Sequence, residues 1–275
     1  MQDNSNMHIA FIGGGNMASA LVGGLLKRGL PAGQIQVIEP FTEQRAKLTQ
    51  QFQVEVSEMP GEALRRASLV VWAVKPQTFG DAAAQSCPYT SGALHLSVAA
   101  GIRSDTIAGW LGTERVVRAM PNTPALIGQG MTALFARPAA SAADRAQVVQ
   151  VVQTTGDFLW LDRETQLDAA TALSGSGPAY VFYFLEAMVQ AGTEMGLSLE
   201  QAKQLAIGTF VGASALAKQA TEPLDILRAR VTSKGGTTHA ALVSMEHHGI
   251  KAAFIEAIHT ARHRAKDLGD EFGAA

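Results

Sequence analysis

Cysteine is nearly absent from this 275-residue chain, with Cys87 the only one. That excludes an intrachain disulfide framework and any metal cage built of cysteines alone. Charge is also scarce, at 17% of residues with a net −2, so no basic or acidic excess suits a nucleic-acid or membrane surface. Long hydrophobic runs are missing. The longest candidate, 180–195, is broken by Glu186, Gln190 and Glu194, and nothing reaches the roughly eighteen apolar residues of a membrane span. Residues 1–8 are polar and the apolar run after them stops at glycines, which is no signal-peptide pattern. The expectation is a cytoplasmic protein. His259 and His263 stand four apart on one helical face, but no acid in metalloprotease spacing joins them, so no metal is expected. What is present is 47% hydrophobic residues, in a length that allows a sizeable core and two domains.

The stretch that organises the chain begins at Ile9. A short apolar run to Ile12 reads as a buried strand, and Gly13, Gly14 and Gly15 follow. Asn16 then opens a helical pattern with Met17, Leu21 and Leu25 one turn apart. This is the strand, glycine turn and helix of a dinucleotide-binding unit, with Ala18 in its last small position. Gly13 permits the tight turn, Gly15 lets the backbone approach a pyrophosphate, and Ala18 lets helix and strand pack closely. The N–H groups that open the helix face the anion.

Further apolar runs predict strands at 35–38, 54–56, 69–74, 94–98, 116–120, 132–135 and 158–161, with helices over 43–51 and 142–154. Repeated βα units with continuous apolar strands indicate a mostly parallel, doubly wound sheet covered on both faces. Beyond about Asp162 only helical patterns remain, over 164–173, 178–195, 199–219, 224–231, 237–247 and 251–268. Gly196 and Gly269 suit helix C-terminal ends. The predicted domains are therefore 1–162, α/β, and 163–275, all-α. The helix carrying Tyr180 to Leu185 is apolar all round, which predicts burial in its own bundle or, preferably, against a second subunit.

Ligands of parallel α/β sheets bind beyond the C-terminal strand ends. Those ends carry Gly13, Glu39, the stretch Ala73, Val74, Lys75 and Pro76, the stretch Ala99, Ala100 and Gly101, and Met120 to Pro124. Glu39 lies where an acid accepts from the adenosine ribose, which taken alone favours NAD over NADP; a solvated strand end is the alternative. Lys75 either lines the nicotinamide end or is held for local charge. Asn122, between two prolines, either orients a ligand or caps its turn. Late in the chain, Val231 to His239 sets a glycine pair among hydroxyls before a helix: an anion site apt for a small carboxylate, or a helix N-cap provided by Thr237. Ser174 to Pro178 has the same two readings.

Five stretches, in order and nearly end to end, resemble the pyrroline-5-carboxylate reductase family: Phe11 to Met17, Val74 to Gln77, Met120 to Pro124, Ser174 to Tyr180 and Val231 to Thr238. The resemblance implies an N-terminal Rossmann domain followed by an all-α dimerisation domain, and a homodimer or an assembly of dimers. It implies reduction of L-1-pyrroline-5-carboxylate to L-proline by NADPH, with NADH also used. It assigns the cofactor to Ile12, Gly13, Gly14, Gly15, Asn16, Met17 and Ala18, with Ala73 to Pro76 and Ala99 to Gly101 on the nicotinamide side. The substrate carboxylate falls to Ser233, Gly235, Gly236 and Thr237, with Ser176 nearby, and the ring nitrogen to Thr238. Two positions depart from the family pattern: Glu39 stands where many members have a small or neutral polar residue, and Pro60 replaces a cofactor-contacting asparagine of some relatives.

No His/Asp or Tyr/Lys pair offers itself as a strong acid, which agrees with an imine substrate whose nitrogen is protonated before hydride transfer. A β-hydroxyacid dehydrogenase would share the first half of the plan. Its catalytic lysine would fall on the helix from Pro178 to Leu185, where there is none. A non-enzymatic NAD(P)-binding redox sensor would leave Ser233 to Thr238 without a role.

Overall fold

A computed structural model describes residues 7–273. Its contacts form two compact units, one running to Ser176 and resumed from Ala261, the other Gly177–Thr260. The boundary predicted at 162/163 marks where strands cease. The contact boundary lies later because the short helix α6 (Gln166–Ala170) and the turn after it pack with the sheet unit.

The first unit alternates β1 (Ile9–Ile12), α1 (Asn16–Lys27), β2 (Ile35–Ile38), α2 (Thr42–Phe52), β3 (Glu55–Ser57), β4 (Leu69–Trp72), α3 (Pro76–Thr90), β5 (Leu94–Ser97), α4 (Ser104–Leu111), β6 (Val116–Met120), β7 (Gly130–Ala136), α5 (Ala142–Val152) and β8 (Gly156–Trp160). One eight-stranded sheet runs β3-β2-β1-β4-β5-β6-β7-β8. Only the β6–β7 pair is antiparallel, because only a short 3-10 turn, Thr123–Ile127, and no crossover α-helix joins them. The first six positions follow the order of doubly wound dinucleotide folds.

Strands β1, β2, β4 and β5 are buried at every residue, including Gln36 in β2 and His95 and Ser97 in β5. Side chains alternate between two cores. Ile9, Phe11, Val37 and Leu96 face α1, α2 and α5, whereas Ala10, Ile12, Val70 and Trp72 face α3 and α4.

The second unit contains α7 (Gly177–Glu194), α8 (Leu199–Gln219), α9 (Leu224–Arg230) and α10 (Thr237–His247), with the first part of α11 (Ile250–Gly273). Gly196, at φ +95°, ends α7 as predicted, and a capping box of Ser198 and Gln201 starts α8. Gly269 does not end a helix: α11 runs on to Gly273. A Cβ there would lie 3.3 Å from Arg103 Nε, so the glycine admits a side chain from α4's entry instead. The unit does not cover its own apolar surface. Phe182, Tyr183, Leu205, Val211 and Leu216 are exposed in the single chain, while Tyr180 and Phe184 pack edge-on against Phe254. Among the described residues no helix is long and apolar enough to cross a membrane.

Candidate active site

Strand register assembles the first half of the site. Ile38, Ile12, Trp72 and Ser97 are successive partners across β2, β1, β4 and β5. The loops that follow them therefore lie side by side along one edge, with the strand order reversing between β1 and β4. This brings together 12–18, Glu39, 73–76 and 99–101, as the sequence predicts.

Within the glycine turn each residue has a distinct duty. Gly13 sits at φ +94°, donates its N–H to the Ile38 carbonyl at 2.8 Å, and would drive a Cβ to 2.6 Å from the Ala73 carbonyl oxygen. Gly14 packs on Leu48 and Glu39. Gly15 is the N-cap of α1, at φ −69° and ψ −168°, and a Cβ on it would meet nothing within 4 Å. Any residue adopts that backbone, so no protein contact explains this glycine. No side chain caps α1, and its first amides lack intrahelical acceptors. Ala18 is fully buried against the sheet, and Met17 packs on the same core. An open cradle at an uncapped helix N-terminus fits a pyrophosphate.

At three positions the structure adds detail that the sequence does not carry. Glu39 is 5% exposed, and backbone amides take both of its carboxylate oxygens: Gly14 N–H at 2.8 Å and Phe41 N–H at 3.0 Å. Gly101, at φ +77°, would place a Cβ 3.1 Å from Leu268 Cβ, so the packing of α11 requires that glycine. Lys75 is exposed at the N-cap of α3, with Pro76 opening the helix. Ala73 donates its N–H to the Ile12 carbonyl at 2.8 Å, which ties the end of β4 to the glycine turn.

Asn122 neither caps its own turn nor stands free. Its Oδ1 accepts from Met131 N–H at 2.9 Å and its Nδ2 donates to the Ser174 carbonyl at 3.1 Å. It joins the loop after β6 to a π-helical turn, Thr171–Gly175, that sequence periodicity did not reveal. The turn closes with Ser176 N–H on the Thr171 carbonyl at 2.8 Å, which places Ser176 beside that loop. Single π turns concentrate at functional sites. Replacing Asn122 with alanine should strand the Met131 amide and lower stability by about 1–3 kcal/mol. A denaturation midpoint equal to wild type would show that the two segments are held by other means.

The second cluster lies in the helical unit, between α9 and α10. Gly235 turns the chain at φ +76°, and Gly236 N–H donates to the Ser233 carbonyl at 3.0 Å. A Cβ on Gly236 would fall 2.6 Å from Ser233 Oγ. Gly236, not Thr237, is the N-cap of α10, and no side chain caps it. The first-turn amides, with the exposed Ser233, Thr237 and Thr238, gather donors of the kind suited to a carboxylate.

Other reactive groups are occupied. The Cys87 thiol donates to the Trp110 carbonyl at 3.2 Å, and burial pushes its pKa up, so it is no ready nucleophile. Among the described residues no three of His, Cys, Asp and Glu gather as a metal site.

Comparison with known proteins bears on both halves. A family model for pyrroline-5-carboxylate reductase dimerisation matches residues 164–268, and one for coenzyme F420-dependent NADP oxidoreductase matches 8–101. A pyrroline-5-carboxylate reductase of Pseudomonas aeruginosa is 44% identical over 98% of this chain and 99% of its own. The solved structure of such a reductase from Coxiella burnetii superposes with a TM-score of 0.89 at 34% identity, covering 96% of this chain and 98% of that one. The Plasmodium falciparum pyrroline carboxylate reductase, solved with NADP bound, superposes at 0.86 with 29% identity over 96% and 98%.

Proposed function

The chain belongs to the pyrroline-5-carboxylate reductase family, and from that premise we propose that its glycine turn holds NADPH and its 233–238 turn holds the substrate. The enzyme is an NAD(P)-dependent oxidoreductase that reduces L-1-pyrroline-5-carboxylate to L-proline, the last step of proline biosynthesis. The observation that carries the cofactor assignment is Gly15, a glycine that no contact within the protein requires. When bound, NADPH supplies a hydride. Gly15, Asn16 and Met17 present backbone amides to the pyrophosphate, with Gly13 and Gly14 shaping the turn beneath them, and Ala73 to Pro76 with Ala99 to Gly101 border the nicotinamide.

Ser233 and the amides from Gly236 onward take the substrate carboxylate. Thr238, whose hydroxyl makes no bond within the described residues, hydrogen-bonds the ring nitrogen. An imine nitrogen takes up its proton before reduction and the product amine keeps it, so no strong acid is needed. Thr238 therefore acts by orientation, and holding the reactants in position supplies most of the acceleration, up to roughly 7–11 kcal/mol. The exposed apolar face of α7 and α8 is covered by a second copy of the chain, in a homodimer or an assembly of dimers working in the cytoplasm. NADH serves as a second donor.

The defining assay supplies pyrroline-5-carboxylate with NADPH or NADH and follows nicotinamide absorbance. Hydroxy acids with the oxidised cofactors serve as the competing substrates, and turnover of those alone would overturn the assignment. Thr238→Ala should lower kcat about 10- to 100-fold with cofactor affinity unchanged. Wild-type turnover in that variant would remove Thr238 from the mechanism.

A further inference from the structure

Gly14 is gripped at both of its backbone polar groups by side chains from the neighbouring βα unit. Its N–H donates to Glu39 Oε2 at 2.8 Å, and its carbonyl accepts from Gln44 Nε2 at 2.6 Å. Glu39 is anchored in turn by Phe41 N–H, and Gln44 sits in the first turn of α2. A Cβ on Gly14 would lie 3.1 Å from Glu39 Oε2, so the carboxylate is packed directly against the loop. Across a trans peptide, one residue's C=O and the next residue's N–H point in opposite directions. Holding the Gly14 carbonyl on Gln44 therefore turns Gly15 N–H the other way. Holding Gly14 N–H on Glu39 likewise fixes the Gly13 carbonyl. Three consecutive glycines have more backbone freedom than any other tripeptide, so this orientation has to be imposed from outside the loop.

We propose that Glu39 and Gln44 are positioning residues that clamp Gly14 and so preset the amides offered to the pyrophosphate, and that Glu39 does not discriminate NADPH from NADH. The inference rests on the dinucleotide reading of the glycine turn. An acid at the end of the second strand ordinarily selects NADH by accepting from the ribose hydroxyls and repelling a 2′-phosphate. Here the same residue type at the same place is buried, and each of its two oxygens already accepts a backbone amide, from Gly14 and from Phe41. The carboxylate is part of the loop's support rather than part of the ribose pocket.

Glu39→Gln and Gln44→Ala test this together. The amide nitrogen of Glu39→Gln must face one of the two backbone N–H groups, so one bond is lost. Gln44 is half-buried on α2, so its truncation leaves the fold intact even if the Glu39 variant fails to fold. Affinities and KM values for NADPH and NADH are measured for wild type and both variants, with kcat at saturating cofactor. Each variant should weaken NADPH and NADH by the same factor, about tenfold, with kcat unchanged. A shift of the NADPH-to-NADH ratio beyond about threefold in Glu39→Gln would put Glu39 on the ribose and overturn the proposal. Wild-type affinities in Gln44→Ala would also overturn it. A wild-type protein that binds neither cofactor would instead refute the dinucleotide reading itself, which keeps the two failures apart.

Discussion

Gly15→Val is expected to weaken NADPH binding by at least about 100-fold while the melting temperature stays within about 4 °C of wild type. The two halves of that expectation have separate causes. At φ −69° and ψ −168° the backbone of residue 15 suits valine, and nothing lies within 4 Å of the new Cβ. The folded protein loses about 1 kcal/mol, the difference between glycine and valine as an N-cap. The space the side chain fills, however, is the open side of an uncapped helix, where an anion would be held. Gly13→Ala would be a poorer test, since its Cβ would strike the Ala73 carbonyl and disturb the strand ends as well. Fluorescence titration with NADPH beside a thermal melt decides the matter, and an unaltered titration would remove the pyrophosphate from this loop.

Acid should destabilise the sheet unit through one buried imidazole. His95 lies on β5, 1% exposed, stacked on Trp72 and accepting at Nδ1 from Trp72 Nε1–H at 3.0 Å. Its Nε2 is buried without a partner. Burial in this apolar surround lowers the folded pKa from 6.5 to about 4. The depressed value fixes the sign. The unfolded chain takes the proton first, so stability is full above pH 6.5 and falls as pH drops towards 4. The loss should be about 2 kcal/mol at pH 5 and about 3 kcal/mol once the folded ring itself titrates. His95→Gln can still accept from Trp72 but does not titrate. Denaturant midpoints at pH 7.5 and 5 should therefore fall further in wild type than in the variant, and parallel falls in both would acquit His95.

The sequence was most legible where burial on both faces leaves one signature. Ile9–Ile12 is an unbroken apolar run, Ile35–Ile38 and Val116–Met120 are broken only by Gln36 and Arg118, and the strands occupy those bounds. The helices of the second unit were nearly as plain, with α8 and α10 delimited by caps and turns, whereas α3 and α4 were not singled out. What periodicity does not encode is the direction of a side chain. The spacing of Glu39 from the glycine turn suggests a ribose ligand, but does not show that its carboxylate accepts from the Gly14 amide. Gly269 looked like a helix end because a glycine needed for close approach and one needed for a left-handed turn are the same letter. The π turn at 171–175 was hidden for a related reason: the sequence reads as helix to Leu173 and as a turn from Ser174, and only the Ser176 bond to the carbonyl five residues back shows the wider register.

The late segment of α11 has a consequence for how the protein is made. Leu268 touches Gly101, Asp270 pairs with Arg103, and Phe272 packs on the core that Trp72 and Phe79 share. Arg103 and Asp270 are 167 residues apart in sequence. At ribosomal rates of about 5–20 residues per second, the nucleotide-binding half waits on the order of 10–30 s after α4 is synthesised before its last wall arrives. During that interval an apolar patch beside the nascent cofactor loop stands open to water.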